Sequence, residues 1–340
     1  YCSSCHIYPD PQLLPKSVWI TSVLPEMGLR LGIGDKYTVL GRMSLKLFDQ
    51  LNRLGVYPDT SALSQEDWLS IVHFYEQNAP ESQPPTISAD SIKKGTPLFK
   101  PFAFWADSGQ SPQTTMVKLL PGRKEVWLGT AYKRVEKYNL DGQKKITLKS
   151  PSPVVDALDG KMTLYLGIGN MLPNEDHNGR LYTMNDRGSA AKLILDSLHR
   201  PVQVLRTDTD RDGIEDLVIL EYGYETGQVS IFNGKTATTA VISQQPGARN
   251  VVVRDVDKDG WPDLFILFAQ AKEQVSLFHN LSGKGFQEEV LVQFPPVYGS
   301  SFLDLADMND DGVEDLIVSF GDNADFSMTK KPFHGIGIYT

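Results

Sequence analysis

The first six residues, Tyr1-Cys2-Ser3-Ser4-Cys5-His6, place two thiols and an imidazole in the order Cys-x-x-Cys-His. On one helical turn, positions i, i+3 and i+4 share a face. Cys2, Cys5 and His6 are then aimed together, as two thioethers to the vinyl groups of a haem and a nitrogen on its iron require. A dithiol redox pair and half of a zinc site are the alternatives. The first calls for a βαβ context, whereas the flanks read as helical and Pro-rich; the second calls for more thiols, and the chain has only 2 cysteines. The motif therefore predicts one covalent haem c.

On pattern alone the second axial ligand of the iron is open among Met27, Met43 and His73. Met27 is preferred because it lies close to the motif, with Pro25 and Gly28 beside it to aim a side chain out of a regular helix. The bland alternative is a methionine that fills a core gap. His73 reads as a core histidine among apolar neighbours.

A second chemistry is written in acidic loops. Asp208, Asp210, Asp212 and Asp216 stand at positions 1, 3, 5 and 9 of a loop with Gly213 at position 6. Asp255, Asp257, Asp259 and Asp263 repeat the spacing around Gly260; Asp307, Asn309, Asp311 and Asp315 repeat it around Gly312. Carboxylates clustered on a tight turn are hard oxygen donors that suit Ca²⁺, with the carbonyls of Ile214, Trp261 and Val313 as further ligands at position 7. An EF-hand needs Glu at position 12, where Ile219, Ile266 and Val318 stand instead, so these loops are expected to join two β-strands. About three Ca²⁺ ions are expected, with a weaker third site where Asn309 replaces a carboxylate. They would bring the formal charge from −9 to −3. Acidic turns that merely solvate a hairpin are the alternative, which three copies of one spacing disfavour.

The elements that must position these groups follow from periodicity. Val18, Trp19, Ser22 and Val23 fall at helical spacing until Pro25, which predicts either a kinked helix or two short ones. Residues 44–54 predict an amphipathic helix with Leu47, Leu51 and Leu54 on one face, and Ser64-Gln65-Glu66-Asp67 is a capping-box start for a last helix ending at Asn78-Ala79-Pro80. Five prolines between residues 79 and 101 mark an extended connector. Beyond residue 115 the chain reads as all-β, and the acidic loops recur after 47 and 52 residues, the period of a four-stranded propeller blade. Two degenerate blades precede them, one around Val154–Gly167 and one from Met116 to Gly142. The expected organisation is a small all-α haem domain (1–80), a Pro-rich linker and propeller entry (81–114) and an all-β propeller (115–340) with five visible blades. A closed propeller could call for further strands beyond Thr340.

A net charge of −9 speaks against nucleic acid as a partner, and no run of eighteen apolar residues encodes a transmembrane helix. Both cysteines belong to the haem motif, which leaves none for a disulfide. The absence of an initial Met and of a signal peptide suggests a trimmed, exported product.

Residues 1–80 resemble a small monohaem cytochrome c domain of the kind fused to propeller repeats in exported bacterial proteins. Cys-His before Pro9-Asp10-Pro11, Leu14-Pro15-Lys16, Leu24-Pro25-Glu26-Met27-Gly28 and the Ser-Gln-Glu-Asp-Trp helix carry that resemblance. It implies Met27 as the iron ligand. The acidic repeats resemble FG-GAP/VCBS repeats of integrin-like propellers, which implies calcium in their loops. Together the resemblances imply an exported, periplasmic or cell-surface electron-transfer protein that docks on a redox partner, an envelope complex or a glycan. A cytochrome-fused dehydrogenase acting on sugars or alcohols, or a surface adhesion module, are the alternatives. No constellation of His, Arg and carboxylate commits to catalysis; His177 and His334 stand isolated and read as surface loop residues.

Overall fold

The computed structural model describes residues 6–82, 111, 113–185, 191–270, 272–321, 331 and 333–340. Cys2, Cys5 and most of the Pro-rich segment lie outside the described residues. Two compact units are formed. One holds the N-terminal helices, residues 269–274 and the described part of 292–340; the other holds the strands up to Phe268 and residues 275–291.

In the first unit, α1 (Lys16–Val18) runs through a π-helical turn (Trp19–Val23) into α2 (Leu24–Arg30). The choice between a kink and a break is thus resolved by a widened turn. Pro25 has no N–H to offer the preceding turn, and the i→i+5 bond from Leu24 N–H to the Trp19 carbonyl absorbs the mismatch. Helix α3 (Leu45–Arg53) starts at Ser44, whose hydroxyl accepts the Leu47 N–H, and α4 (Gln65–Asn78) starts at Ser64, which accepts the Asp67 N–H at 3.0 Å. The apolar stripe of α4 buries Trp68 and Tyr75 against Leu14, Trp19, Leu24 and Leu63. Trp19 and Tyr75 are fully buried with ring centroids 4.4 Å apart. Their polar ends reach the segment just after His6: Trp19 Nε1 donates to the Pro11 carbonyl at 2.9 Å and the Tyr75 hydroxyl to the Pro9 carbonyl at 2.6 Å. Gly28 is small for a reason, since a Cβ there would stand 3.0 Å from the Trp68 ring.

The β-strands form five antiparallel meanders among the described residues, an all-β, five-blade propeller architecture. Blade 1 is β1–β4 (Thr114–Leu120, Glu125–Thr130, Arg134–Asn139, Lys144–Lys149) and blade 2 is β5–β8 (Val154–Leu158, Leu164–Gly167, Gly179–Thr183, Lys192–Leu198). Blade 3 is β9–β12 (Pro201–Thr207, Asp216–Glu221, Gln228–Phe232, Thr239–Ser243) and blade 4 is β13–β16 (Ala248–Arg254, Asp263–Phe268, Gln274–Asn280, Phe286–Gln293). Blade 5 has, among the described residues, the strands β17–β19 (Ser300–Ala306, Asp315–Phe320, Gly335–Tyr339). The two degenerate blades expected from the sequence are therefore blades 1 and 2.

Second strands read as unbroken apolar runs because both faces are covered: every residue of β10 and β14 is buried. Outer strands such as β12 and β16 keep polar, exposed faces. Within the second unit, apolar cores form between successive blades. Val218, Leu220, Ile266, Phe268 and Phe278 join blades 3 and 4, and Leu166, Leu181, Val204 and Ile219 join blades 2 and 3. Each such side chain contributes about 1.5–3 kcal/mol by leaving water, which fastens together the blades that carry the first two acidic loops.

Candidate metal centres

The acidic loops join first to second strands in blades 3, 4 and 5, as their spacing predicted. Each is shaped by the same four hydrogen bonds. The carboxylate at position 1 accepts the glycine N–H at position 6: Asp208 from Gly213 (2.9 Å), Asp255 from Gly260 (3.0 Å), Asp307 from Gly312 (2.8 Å). Position 3 accepts from the N–H of position 5, in Asp210–Asp212 (3.2 Å), Asp257–Asp259 (3.1 Å) and Asn309–Asp311 (2.9 Å). Position 5 in turn accepts from position 7, the N–H of Ile214, Trp261 or Val313, at 2.8 Å in all three. Position 9 reaches back to position 2, with Asp216 bound to Thr209 N–H (3.0 Å), Asp263 to Val256 (3.0 Å) and Asp315 to Met308 (2.9 Å). The turn is left-handed at positions 4 and 6, and φ of +86° to +88° at Gly213, Gly260 and Gly312 explains the glycine there.

This winding gathers carboxylates. One oxygen each from Asp208, Asp210 and Asp216 lie within 4.8 Å of one another, and Asp255, Asp257 and Asp263 do the same. An all-oxygen, all-anionic donor set of this kind fits a hard divalent cation such as Ca²⁺. Asp212 and Asp259 lie outside these groups of three, and one oxygen of each accepts the position-7 N–H. At the third loop no such group of three forms among the described residues, although the hydrogen bonds are the same. The Gly312 N–H, with those of neighbouring loop residues, holds the exposed Asp307 carboxyl below its ordinary range, against a smaller opposing effect of burial.

Two asparagines complete the loops, and sequence reasoning missed both. Asn233 donates from Nδ2 to Asp210 at 2.8 Å, and the next N–H, of Gly234, donates to Asp216 at 2.9 Å. In blade 4 the Asn280 N–H donates to Asp263 at 2.8 Å. Each asparagine follows the position-9 aspartate by 17 residues, a spacing that would have singled them out. Blade 2 has no such carboxylate set. Its short loop is closed by Arg206 of blade 3, which donates to the carbonyls of Asp159 (2.7 Å) and Met162 (3.1 Å).

Of the Cys-x-x-Cys-His residues, His6 is described. It is half-buried, and its Nδ1 lies 2.8 Å from the Ile7 carbonyl. A carbonyl only accepts, so this contact calls for a proton on Nδ1; in the neutral ring that leaves Nε2 as the nitrogen able to ligate a metal. Met27 lies on α2, partly buried against the Trp19–Trp68–Tyr75 cluster. Met43 is half-buried. His73 differs from its expected core setting: it is exposed and bonded to Glu76 at 2.9 Å, because it falls on the solvent face of α4, away from Trp68 and Tyr75.

His177 and His334 are exposed, as expected. The ring of His177 lies 4.5 Å from that of His199, a buried residue the sequence did not flag. His199 bonds to the Asn174 carbonyl (3.2 Å) and Thr226 (3.2 Å), beside Glu175 (3.4 Å). Glu175 in turn accepts from the Glu225 N–H (2.7 Å) and the Thr226 hydroxyl (2.6 Å). Together these bonds fasten the long β6–β7 loop to the β10–β11 loop.

Residues 208–266 and 255–318 match the FG-GAP-like repeat, so the three acidic loops lie within FG-GAP repeats. No curated protein matches the chain. Among solved structures, a luciferin-regenerating enzyme is similar over 63% of this chain and 70% of its own, at 12% identity and a TM-score of 0.43. Hydrazine synthase of Kuenenia stuttgartiensis is similar over 61% of each chain, at 12% identity and a TM-score of 0.42. A nidogen/laminin complex chain is similar over 58% of this chain and 68% of its own, at 13% identity and a TM-score of 0.38.

Proposed function

We propose that the chain is an exported one-electron carrier with a covalent haem c, whose FG-GAP blades, stabilised by calcium, dock it to a partner protein. A propeller with FG-GAP repeats is suited to protein binding, and no helix among the described residues is long and apolar enough to cross a membrane. The observation that carries the electron-transfer part is His6: it ends a Cys-x-x-Cys-His motif, and its Nδ1 is occupied by the Ile7 carbonyl. Cys2 and Cys5 would hold the haem by thioethers, with His6 Nε2 and Met27 as axial ligands. When bound, such a group supplies reversible one-electron exchange, and two protein ligands leave no iron position for substrate. The chain's own part is to fix His6 and to keep water away. Bonds from Trp19 and Tyr75 tie Pro11 and Pro9, three to five residues beyond His6, to the helical core. Thioether attachment is carried out beyond the cytoplasmic membrane, which supports a periplasmic or cell-surface location.

Expression in a host that matures c-type cytochromes tests this. Denatured protein should retain haem, and Cys2→Ser with Cys5→Ser should lose it. Met27→Ala should lower the reduction potential and admit carbon monoxide to the iron. Protein that never acquires covalent haem under these conditions would overturn the proposal.

A further inference from the structure

The loops of blades 3 and 4 are joined to each other as well as to their own blades. Asn280 is 6% exposed at the end of β15. Its side-chain amide donates to the Thr209 carbonyl in the blade 3 loop (2.9 Å) and to the Pro262 carbonyl in the blade 4 loop (3.2 Å). Its N–H holds Asp263, while Thr209 holds Asp216 through its N–H and hydroxyl. A continuous path of hydrogen bonds thus runs from the buried carboxylate of one loop to that of the other. A second link lies beside it. The Arg211 guanidinium, from position 4 of the blade 3 loop, sits 5.3 Å from the ring centroid of Trp261 at position 7 of the blade 4 loop. Arg211 also fills the space over Gly260, where a Cβ would stand 2.8 Å from its Nη1. Trp261 also lies close to Gly283, which in turn lies close to the Asp210 backbone.

We propose that these two loops form one coupled cation unit, in which an ion held by Asp208, Asp210 and Asp216 raises the affinity of Asp255, Asp257 and Asp263 through Asn280. This rests on the calcium reading of the loops. The first ion orders the blade 3 loop and fixes the Thr209 carbonyl, which seats Asn280. The seated Asn280 holds Asp263 and Pro262 in place, and Arg211 pins Trp261, the position-7 residue of the second loop. Part of the ordering cost of the second loop is then met before its ion arrives, which is positive coupling by preorganisation. Coupling is reciprocal, so filling blade 4 first must tighten blade 3 equally. Repulsion between the two ions opposes this and is screened over about 8 Å at physiological ionic strength.

The test is calorimetric titration of chelator-stripped full-length chain with calcium alone, in an Asp307→Ala background that silences the third loop. Two ions should bind with a Hill coefficient above 1, the second roughly five-fold or more tighter than the first. Asn280→Ser should leave two ions bound but independent, and Arg211→Ala, a surface change, should weaken the coupling in part. Independent binding in the unsubstituted loops, or a Hill coefficient untouched in a folded Asn280→Ser, would overturn the coupling while leaving the calcium reading intact. No calcium uptake at all would overturn both.

Discussion

At the scale of the residue, His199 is the group whose surroundings make the sharpest demand. Burial pushes its imidazole below the ordinary 6.5, the Glu175 carboxylate and the Asn174 carbonyl pull the other way, His177 adds to the lowering, and Glu221 opposes it. A base whose folded pKa is depressed contributes its full stability above the unfolded value and loses it as pH falls below. Folding stability should therefore drop as pH falls from above the ordinary imidazole range through the lowered folded value, as His199 is forced to charge. Denaturant melts at a series of pH values through that range check this: His199→Gln should flatten the slope, and an unchanged slope would show that the β6–β7 clamp does not sense protons. Nothing in the sequence pointed to His199. Its partners come from residues 25 to 27 positions away, and such a meeting has no periodicity to betray it.

At the scale of the element, the same strand-to-strand turn is completed in two ways. Blades 3 and 4 gather carboxylates, whereas blade 2 receives a guanidinium from its neighbour. Arg206→Ala should cost about 1–3 kcal/mol, the usual penalty for leaving the partners of a charged donor unsatisfied. That loss should be equal with calcium and with chelator, as read from paired denaturant melts; a loss seen only in calcium would tie Arg206 to the cation loops instead. The loops were legible in the sequence because positions 1, 3, 5, 6 and 9 are local and three times repeated. The helical starts at Ser44 and Ser64 were legible for the same reason. Arg206 was not, since it arrives from another blade; Asn233 and Asn280 were marked only by their shared distance of 17 residues from the position-9 aspartate. At position 5 the carboxylates of Asp212 and Asp259 also accept the position-7 N–H, a contact that the loop spacing by itself does not announce.

At the scale of the whole molecule, periodicity revealed five blades even where the acidic loops had decayed, because the apolar runs of second strands persisted. What stabilises the chain is expected to be shared between these packed cores and the cations. An ion that binds only the folded loop adds about 2.7 kcal/mol when present at a hundred times its dissociation constant. Chelation should accordingly lower the melting temperature by several degrees, and restored calcium should recover it. Identical melting curves with and without chelator would remove any structural role for the loops.

The pair Asn233-Gly234 carries a consequence for the lifetime of the protein. An asparagine followed by glycine is the dipeptide most prone to spontaneous ring closure, in which the glycine nitrogen attacks the side-chain amide. Here that nitrogen is engaged with Asp216, and the amide is held between Asp210 and the N–H groups of Lys235 and Thr236. The folded loop thereby slows the ageing of its own most labile bond, and a protein kept with its loops ordered should deamidate more slowly than one left to open.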